Sequence, residues 1–278
     1  MSSKVPPIIL NNGVEMPQLG YGVWQVPDDE AEQAVGTALE AGYRSIDTAA
    51  IYGNEEGTGK AIAASGIPRK DLFITTKLWN SDQGYDSTLR AFDESLAKLG
   101  LEYVDLYLIH WPLPARGKFV DTYKAFEKLS ADGRAKSIGV SNFLPEHLQT
   151  LIEATSVIPA VNQIELHPHL QQHASREYHA EQGIATEAWS PLGQGKGLLE
   201  VPAIIAIAQK HGRTPAQVVL RWHLQLGNVV IPKSVTPSRI KENIEVFDFS
   251  LDTEDIAAIS ALNEDRRIGP DPATFDMA

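Results

Sequence analysis

The chain has 278 residues, 43% hydrophobic and 22% charged, ordinary globular sequence with enough length to bury a large core in one domain or two. Its 24 basic and 36 acidic residues leave a formal net charge of −12, a surface that repels phosphate backbones and argues against nucleic acid as a partner. Cysteine is absent, which excludes disulfides, thiolate metal sites and cysteine nucleophiles and fits a reducing, cytoplasmic setting.

The start, MSSKVPPIIL, lacks the apolar core of a signal peptide, and no run approaches the roughly 18 apolar residues of a membrane span. IILNNGVEMPQLGYG then reads as a hairpin, with Asn12-Gly13 as a two-residue turn between short apolar runs. Beyond it, strand-like runs alternate with amphipathic, helix-like ones. The strand-like runs are Leu19–Gly22, Arg44–Asp47, Leu72–Lys77, Val104–His110, Ser137–Val140, Ala160–Glu165, Ala185–Ala188 and Val229–Pro232. The helix-like stretches are Asp28–Ala41, Glu55–Ala64, Asp86–Leu99, Thr122–Ala131, Pro145–Ala154, Ser175–Gln182, Val201–Lys210 with Pro215–Leu226, and Pro237–Phe247.

Eight strand-then-helix units with no Pro/Gly/Ser linker imply one α/β domain over 1–278, a (β/α)8 TIM barrel. An open doubly wound sheet is the alternative, but it more often shows a Gly-rich turn after its first strand. The tail, Glu264–Ala278, reads as a loop across the surface, placed to form part of a pocket wall near the barrel mouth.

Active sites of such barrels form at the C-terminal ends of the strands. There the second run ends in Asp47 with Tyr52 in the following loop, the third in Lys77 and the fourth in His110. Singly, Asp47 reads as a turn cap, Tyr52 as a groove filler, Lys77 as a solvated tip and His110 as a structural histidine. Together they make a proton donor. Lys77 favours the Tyr52 phenolate and lowers its pKa, Asp47 holds Lys77, and His110 donates a hydrogen bond to a carbonyl oxygen. Such an acid serves to protonate an alkoxide as hydride arrives.

No GxGxxG is present, SPLGQGKGLL lacks its spacing, and Gly59-Lys60 is followed by Ala61 rather than Ser or Thr. Rossmann and P-loop sites are therefore unsupported. IPKSVTPSRIKEN (231–243) instead offers a helix start, two hydroxyls and the cations Lys233 and Arg239, an island suited to an anionic phosphate. It reads equally as a plain helix start, with Thr236 as N-cap and Pro237 at the first helical position.

Over nearly its whole length the sequence resembles the aldo-keto reductases. The likeness is carried by GYGVWQV (20–26), GYRSIDTAAIYGNEEGTG (42–59), FITTKLW (73–79), DLYLIHWP (105–112), SIGVSNF (137–143), NQIELHP (162–168), SPLGQG (190–195) and IPKSVTPSRIKEN (231–243). It is most similar to the bacterial 2,5-diketo-D-gluconate reductases, through AAIYGNEEG, DLYLIHWP, AVNQIELHP and TPAQVVLRWHLQ (214–225). The resemblance implies NADPH-dependent reduction of aldehydes and ketones, a small-molecule carbonyl substrate and a monomer. It implies Tyr52 as general acid with Lys77, Asp47 and His110 in support. It assigns the nicotinamide carboxamide to Ser141, Asn142 and Gln163, and the ring to Trp189. The pyrophosphate falls to Ser190, Leu192, Gly193 and Gln194, the 2′-phosphate to Lys233, Ser234 and Arg239, and the adenine to Glu242 and Asn243. Trp24, Trp79 and Trp111 follow strand ends and would line the substrate pocket; barrel-rim packing is the alternative, an equal use for Trp79.

Two rivals stand beside this reading. HPHLQQH brings His167, His169 and His173 close together, as metal-dependent barrel hydrolases do, but the other strand ends supply no further ligand set, so no metal is expected. An NADPH-binding partner subunit with weak catalysis is the second, and the complete tetrad argues against it.

Overall fold

The computed structural model describes residues 5–278; residues 1–4, part of the expected 1–278 domain, lie outside the described residues. The opening segment pairs β1 (Pro7–Ile9) antiparallel with β2 (Glu15–Pro17), Ile8 opposite Met16. The connection is not a two-residue Asn12-Gly13 turn. Leu10 donates to Val14 O and Gly13 to Leu10 O, both at 2.9 Å, so the loop is Asn11–Gly13. Gly13 takes φ +83°, the left-handed position a three-residue hairpin loop gives to glycine.

Among the described residues, eight parallel strands follow. They are β3 (Tyr21–Gly22), β4 (Ser45–Asp47), β5 (Phe73–Leu78), β6 (Val104–Ile109), β7 (Ala135–Ser141), β8 (Val161–Glu165), β9 (Ala185–Trp189) and β10 (Val229–Val230). Each is hydrogen-bonded to its neighbour in chain order. The last returns to the first through a parallel bridge between Leu19 and Val230, with Gly20 N–H donating to Val230 O at 2.8 Å. The sheet therefore closes into the expected (β/α)8 barrel.

The helices between and after the strands are α1 (Asp28–Ala41), α2 (Glu55–Ala64), α3 (Tyr85–Leu99), α4 (Phe119–Ala131), α5 (Pro145–Ala154), α6 (His173–Gln182), α7 (Pro202–His211), α8 (Pro215–Gln225), α9 (Pro237–Ile244) and α10 (Thr253–Ser260). Local chemistry sets several ends. Thr214 caps α8 by accepting from Gln217 N–H, with Pro215 at the first helical position. Helix α4 begins at Phe119 rather than Thr122, because Phe119 packs its ring edge-on against Phe143, centroids 5.3 Å apart, and is buried. Helix α10 falls beyond the last helix expected from the sequence. Its signal is the Asp252 cap, whose carboxylate accepts from Asp255 N–H ahead of an acidic first turn. Helices α1 and α2 approach so closely that a Cβ on Gly57 would lie 2.3 Å from Asp28 O. None of the described helices is long and apolar enough to cross a membrane.

The hairpin plugs one end of the barrel. Leu10 and Met16 bury themselves against Phe73, Leu106, Leu108 and Val161, and Asn12 donates to Lys136 O at 3.0 Å. Because the strands are parallel, their C-terminal ends all open at the other end, where polar side chains gather.

Two buried histidines report on this packing. Burial drives His179 down to about 4 and His223 down to about 3, from the ordinary 6.5. The unfolded chain then binds protons that the folded chain refuses, so stability is complete above about pH 6.5 and is lost as pH falls towards the folded values. Urea unfolding at pH 7 and at pH 4.5 should show a loss of about 1.4 kcal/mol per pH unit for each histidine, and His179→Gln should flatten the slope.

Candidate active site

Lys77 is on β5, fully buried, and its side chain points into the barrel as strand alternation requires. Its Nζ donates to Asp47 Oδ1 at 2.6 Å and to Thr48 O at 2.9 Å. Asp47 ends β4, and its other oxygen, Oδ2, accepts from Gln163 Nε2 at 2.9 Å. Both charges are removed from water, and fixed partners replace the lost hydration.

Tyr52 sits in a single 3-10 turn, Ala50–Tyr52, which folds the chain back after β4 and lays the ring 5.1 Å from Lys77 Nζ. His110 follows β6, its ring edge-on to Tyr52 at 5.7 Å between centroids and to Trp79 at 5.3 Å. The structure therefore brings Asp47, Tyr52, Lys77 and His110 together at one mouth. His110 Nδ1 is buried without a partner, leaving Nε2 as the ring nitrogen that faces the opening. Burial and then the Lys77 ammonium hold His110 well below the usual histidine range, so the ring is neutral at pH 7 and able to carry its proton on Nε2.

The expected direction for Tyr52 is not what the geometry gives. Burial raises the phenol's pKa; Lys77 pulls it down, but burial and the Asp47 carboxylate leave the net shift upward. The Lys77 contribution has the anticipated sign and is outweighed. For Lys77, burial opposes the charge, but Asp47 and Tyr52 more than compensate and its pKa ends above the ordinary value.

Next to the tetrad lies a second polar group. Asn142 Nδ2 donates to His110 O at 3.0 Å and to Ser141 Oγ at 3.1 Å, and Asn142 Oδ1 accepts from Trp189 Nε1 at 2.8 Å. Ser141 Oγ in turn donates to Gln163 O at 2.8 Å. Asn142 and Ser190 both adopt left-handed backbone, φ +63° and +50°, at the ends of β7 and β9. Such conformations cost about 1–3 kcal/mol and concentrate at functional sites. Gln163 Oε1 accepts from no described residue, so it is the acceptor left open in this group.

Of the tryptophans, Trp79 and Trp111 pack with Leu113, Ala50, Trp189 and Phe275, whereas Trp24 is 42% exposed and stands apart from that cluster. Phe275, which sequence reasoning missed, packs on Trp111 with the rings tilted at 45° and centroids 4.4 Å apart, and belongs to the tail. The tail crosses the mouth as expected. Ile268 and Gly269 N–H groups donate to the buried Glu165 carboxylate at 2.6 and 2.9 Å, Asn80 Nδ2 donates to Met277 O at 2.7 Å, and Arg116 pairs with Asp276 at 2.5 Å.

Further round the rim, Lys233 and Arg239 are exposed and have no acidic partner among the described residues. Helix α9 starts after Thr236 without a side-chain cap, so its first N–H groups stay open. The loop after β9 begins at Ser190 and runs through Leu192 to a short 3-10 turn that starts at Gly193 and the exposed Gln194. Asn243 is buried, and Glu242 Oε1 accepts from Thr214 Oγ1 at 2.8 Å. A second basic cluster was not legible in the sequence. Lys196, Arg266 and Arg267, distant in the chain, share with His169 a cavity of about 180 Å³. Of the histidines of HPHLQQH, His167 and His169 lie edge to face, 6.4 Å between centroids, but each has another partner: His167 binds Glu165 at 2.9 Å and His169 binds Arg266 at 2.7 Å. Among the described residues no three His, Cys, Asp or Glu side chains are placed to hold a metal.

The family model described as aldo/keto reductase family matches residues 16–264. An aldo-keto reductase of Mycolicibacterium smegmatis is 63% identical over 98% of each chain, and the methylglyoxal reductase DkgA of Yersinia pestis is 55% identical over 97% of each. Among solved structures, a mutant of Gox0644 in complex with NADPH superposes with a TM-score of 0.95 at 52% identity, over 99% of this chain and all of that one.

Two substitutions test the construction. A Cβ on Gly269 would meet Trp189 Cη2 at 2.6 Å and Glu165 Oε2 at 3.0 Å, so Gly269→Ala should cost about 1–3 kcal/mol in urea unfolding by displacing the tail. Lys77→Met strands the buried Asp47 charge and should cost about 3–5 kcal/mol; an unchanged midpoint would show the pair to be solvated.

Proposed function

The chain belongs to the aldo/keto reductase family and is an NADP-dependent oxidoreductase, and from that premise we propose that it reduces small aldehydes, ketones and dicarbonyls to alcohols with Tyr52 as the proton donor. The observation that carries this reading is the buried Lys77–Asp47 pair set beneath Tyr52, with His110 edge-on beside it. The similarity to a methylglyoxal reductase favours a short dicarbonyl among the substrates, and a diketo-sugar acid is the larger member of the same class. The Trp79, Trp111 and Phe275 wall supports an apolar pocket for either.

NADPH, when bound, supplies hydride to the carbonyl carbon. The chain's own groups handle the oxygen. Neutral His110 donates from Nε2 and orients the carbonyl, and Tyr52 gives its proton to the oxygen as negative charge develops there. The upward net shift of Tyr52 serves this role by keeping the phenol protonated at neutral pH, while Lys77 stabilises the phenolate left behind.

The residues present fit the cofactor. Gln163 Oε1 is an open acceptor for a carboxamide N–H, and Trp189, fixed through its Nε1 by Asn142, offers a ring face. Ser141 and Asn142 would reach a carboxamide only by exchanging the partners they now hold. Ser190, Leu192, Gly193 and Gln194 are the residues for the pyrophosphate, the uncapped start of α9 with Lys233, Ser234 and Arg239 for the 2′-phosphate, and Asn243 with Glu242 for the adenine. In this reading residues 1–278 act as one domain, a monomer of the cytoplasm.

Tyr52→Phe should reduce kcat for carbonyl reduction by several orders of magnitude while leaving the NADPH Kd within a few-fold, followed as NADPH consumption over a carbonyl panel beside wild type. A mutant retaining most of its kcat would remove the acid assignment. Arg239→Ala should lower kcat/KM for NADPH by about tenfold or more and leave that for NADH almost unchanged, as expected of a charge-assisted phosphate contact.

A further inference from the structure

One buried acid plays no part in the chemistry above. Glu187 lies on β9 in register with Gln163 of β8, and, two residues before Trp189, shares its inward face. It is 1% exposed. Its Oε2 accepts from Gln163 Nε2 at 2.8 Å, the nitrogen that also donates to Asp47 Oδ2 at 2.9 Å, and its Oε1 is buried with no partner. Glu187, Gln163, Asp47 and Lys77 thus form one connected chain that ends beside Tyr52.

Two consequences follow from this arrangement. A primary amide has two N–H bonds, and here one goes to each carboxyl group. The flipped amide would set Gln163 Oε1 against the Asp47 carboxylate and leave Glu187 Oε2 without the N–H it now accepts, so the nitrogen is held between the two carboxyl groups and the oxygen outward. The second consequence concerns charge. The titratable groups around Glu187 are Asp47 from β4, Tyr52 from the turn after β4 and Lys77 from β5; β8 presents neutral Gln163, and β10 presents Val229. One cation therefore serves two buried carboxyl groups. Burial and then Asp47 push Glu187 up to about 8, so it holds a proton at neutral pH, and its ionisation raises Tyr52 further.

We propose that Glu187 is a positioning residue: it fixes the Gln163 amide with its oxygen towards the mouth, ready for a carboxamide N–H, and it links the cofactor side of the site to Tyr52 through the hydrogen-bonded chain Gln163–Asp47–Lys77. The proposal rests on the reductase reading and adds a residue to it.

The test titrates wild type, Glu187→Gln and Glu187→Leu from about pH 6 to pH 10, with three readouts: the infrared C=O stretch of a protonated carboxylic acid, the NADPH Kd and kcat. Wild type should show the acid band at neutral pH and lose it with a midpoint near 8, and Glu187→Gln should lack it. Glu187→Gln, which mimics the neutral acid, should bind NADPH within about twofold of wild type. It should also keep about threefold more of its neutral-pH kcat at the alkaline end. Glu187→Leu should weaken NADPH binding about fivefold, the worth of one lost hydrogen bond. Absence of the band from wild type, or superimposable kcat profiles for wild type and Glu187→Gln, would overturn the proposal even if Glu187→Leu does not fold. Failure of wild type to bind NADPH would instead remove the reductase reading and the positioning role with it.

Discussion

An ammonium and a carboxylate, both withdrawn from water, hold the centre of this molecule. Lys77 is wholly buried and Asp47 nearly so, 2.6 Å apart. Burying two such ions costs several kcal/mol each before their attraction is counted, and hydrophobic side chains of similar volume would often serve stability as well. The arrangement is tolerated because it is completed: Thr48 O takes a second Lys77 proton, and Gln163 takes the second Asp47 oxygen. What an apolar substitute could not supply is a fixed positive charge beside a phenol.

The barrel is what makes that charge possible. Asp47, Lys77, His110, Gln163 and Trp189 come from β4, the end of β5, the residue after β6, β8 and the end of β9. Parallel strands deliver all of them to one end, and the hairpin seals the other with Leu10 and Met16. The tail then covers the rim. Its hold on Glu165 passes through Gly269, where an added Cβ would meet the Trp189 ring at 2.6 Å and force a shift. Rim aromatics are thus tied to a segment outside the strand–helix repeat.

Much of this was legible in the sequence because local and global signals agreed. Eight alternating units gave the barrel, and strand ends gave the four residues that the structure gathers. Elsewhere tertiary packing overrode local reading. Phe119 extends α4 backwards by docking on Phe143, and the Asn12-Gly13 signal yields to a loop whose glycine comes third. Helix α10 carries a local start signal at Asp252, an acidic cap ahead of a short apolar stretch. The Tyr52 shift was anticipated from one neighbouring charge, but its net direction depends on burial, which a sequence does not display. Trp24 shares its motif context with Trp79 and Trp111 yet stays in solvent. Glu187 was within reach, since the period of two that turns Trp189 inward turns Glu187 inward as well. The cations at 196, 266 and 267 were not, because only the tail's path brings them to one cavity.

The central claim is that this buried charge pair serves hydride reduction of a carbonyl. The most direct measurement supplies NADPH deuterated at both C4 positions together with methylglyoxal, and locates the label by mass spectrometry. One deuterium on the former carbonyl carbon, appearing with repeated turnover, is the predicted result. Tight cofactor binding with no label in any product would contradict it and make the chain a nucleotide-binding partner.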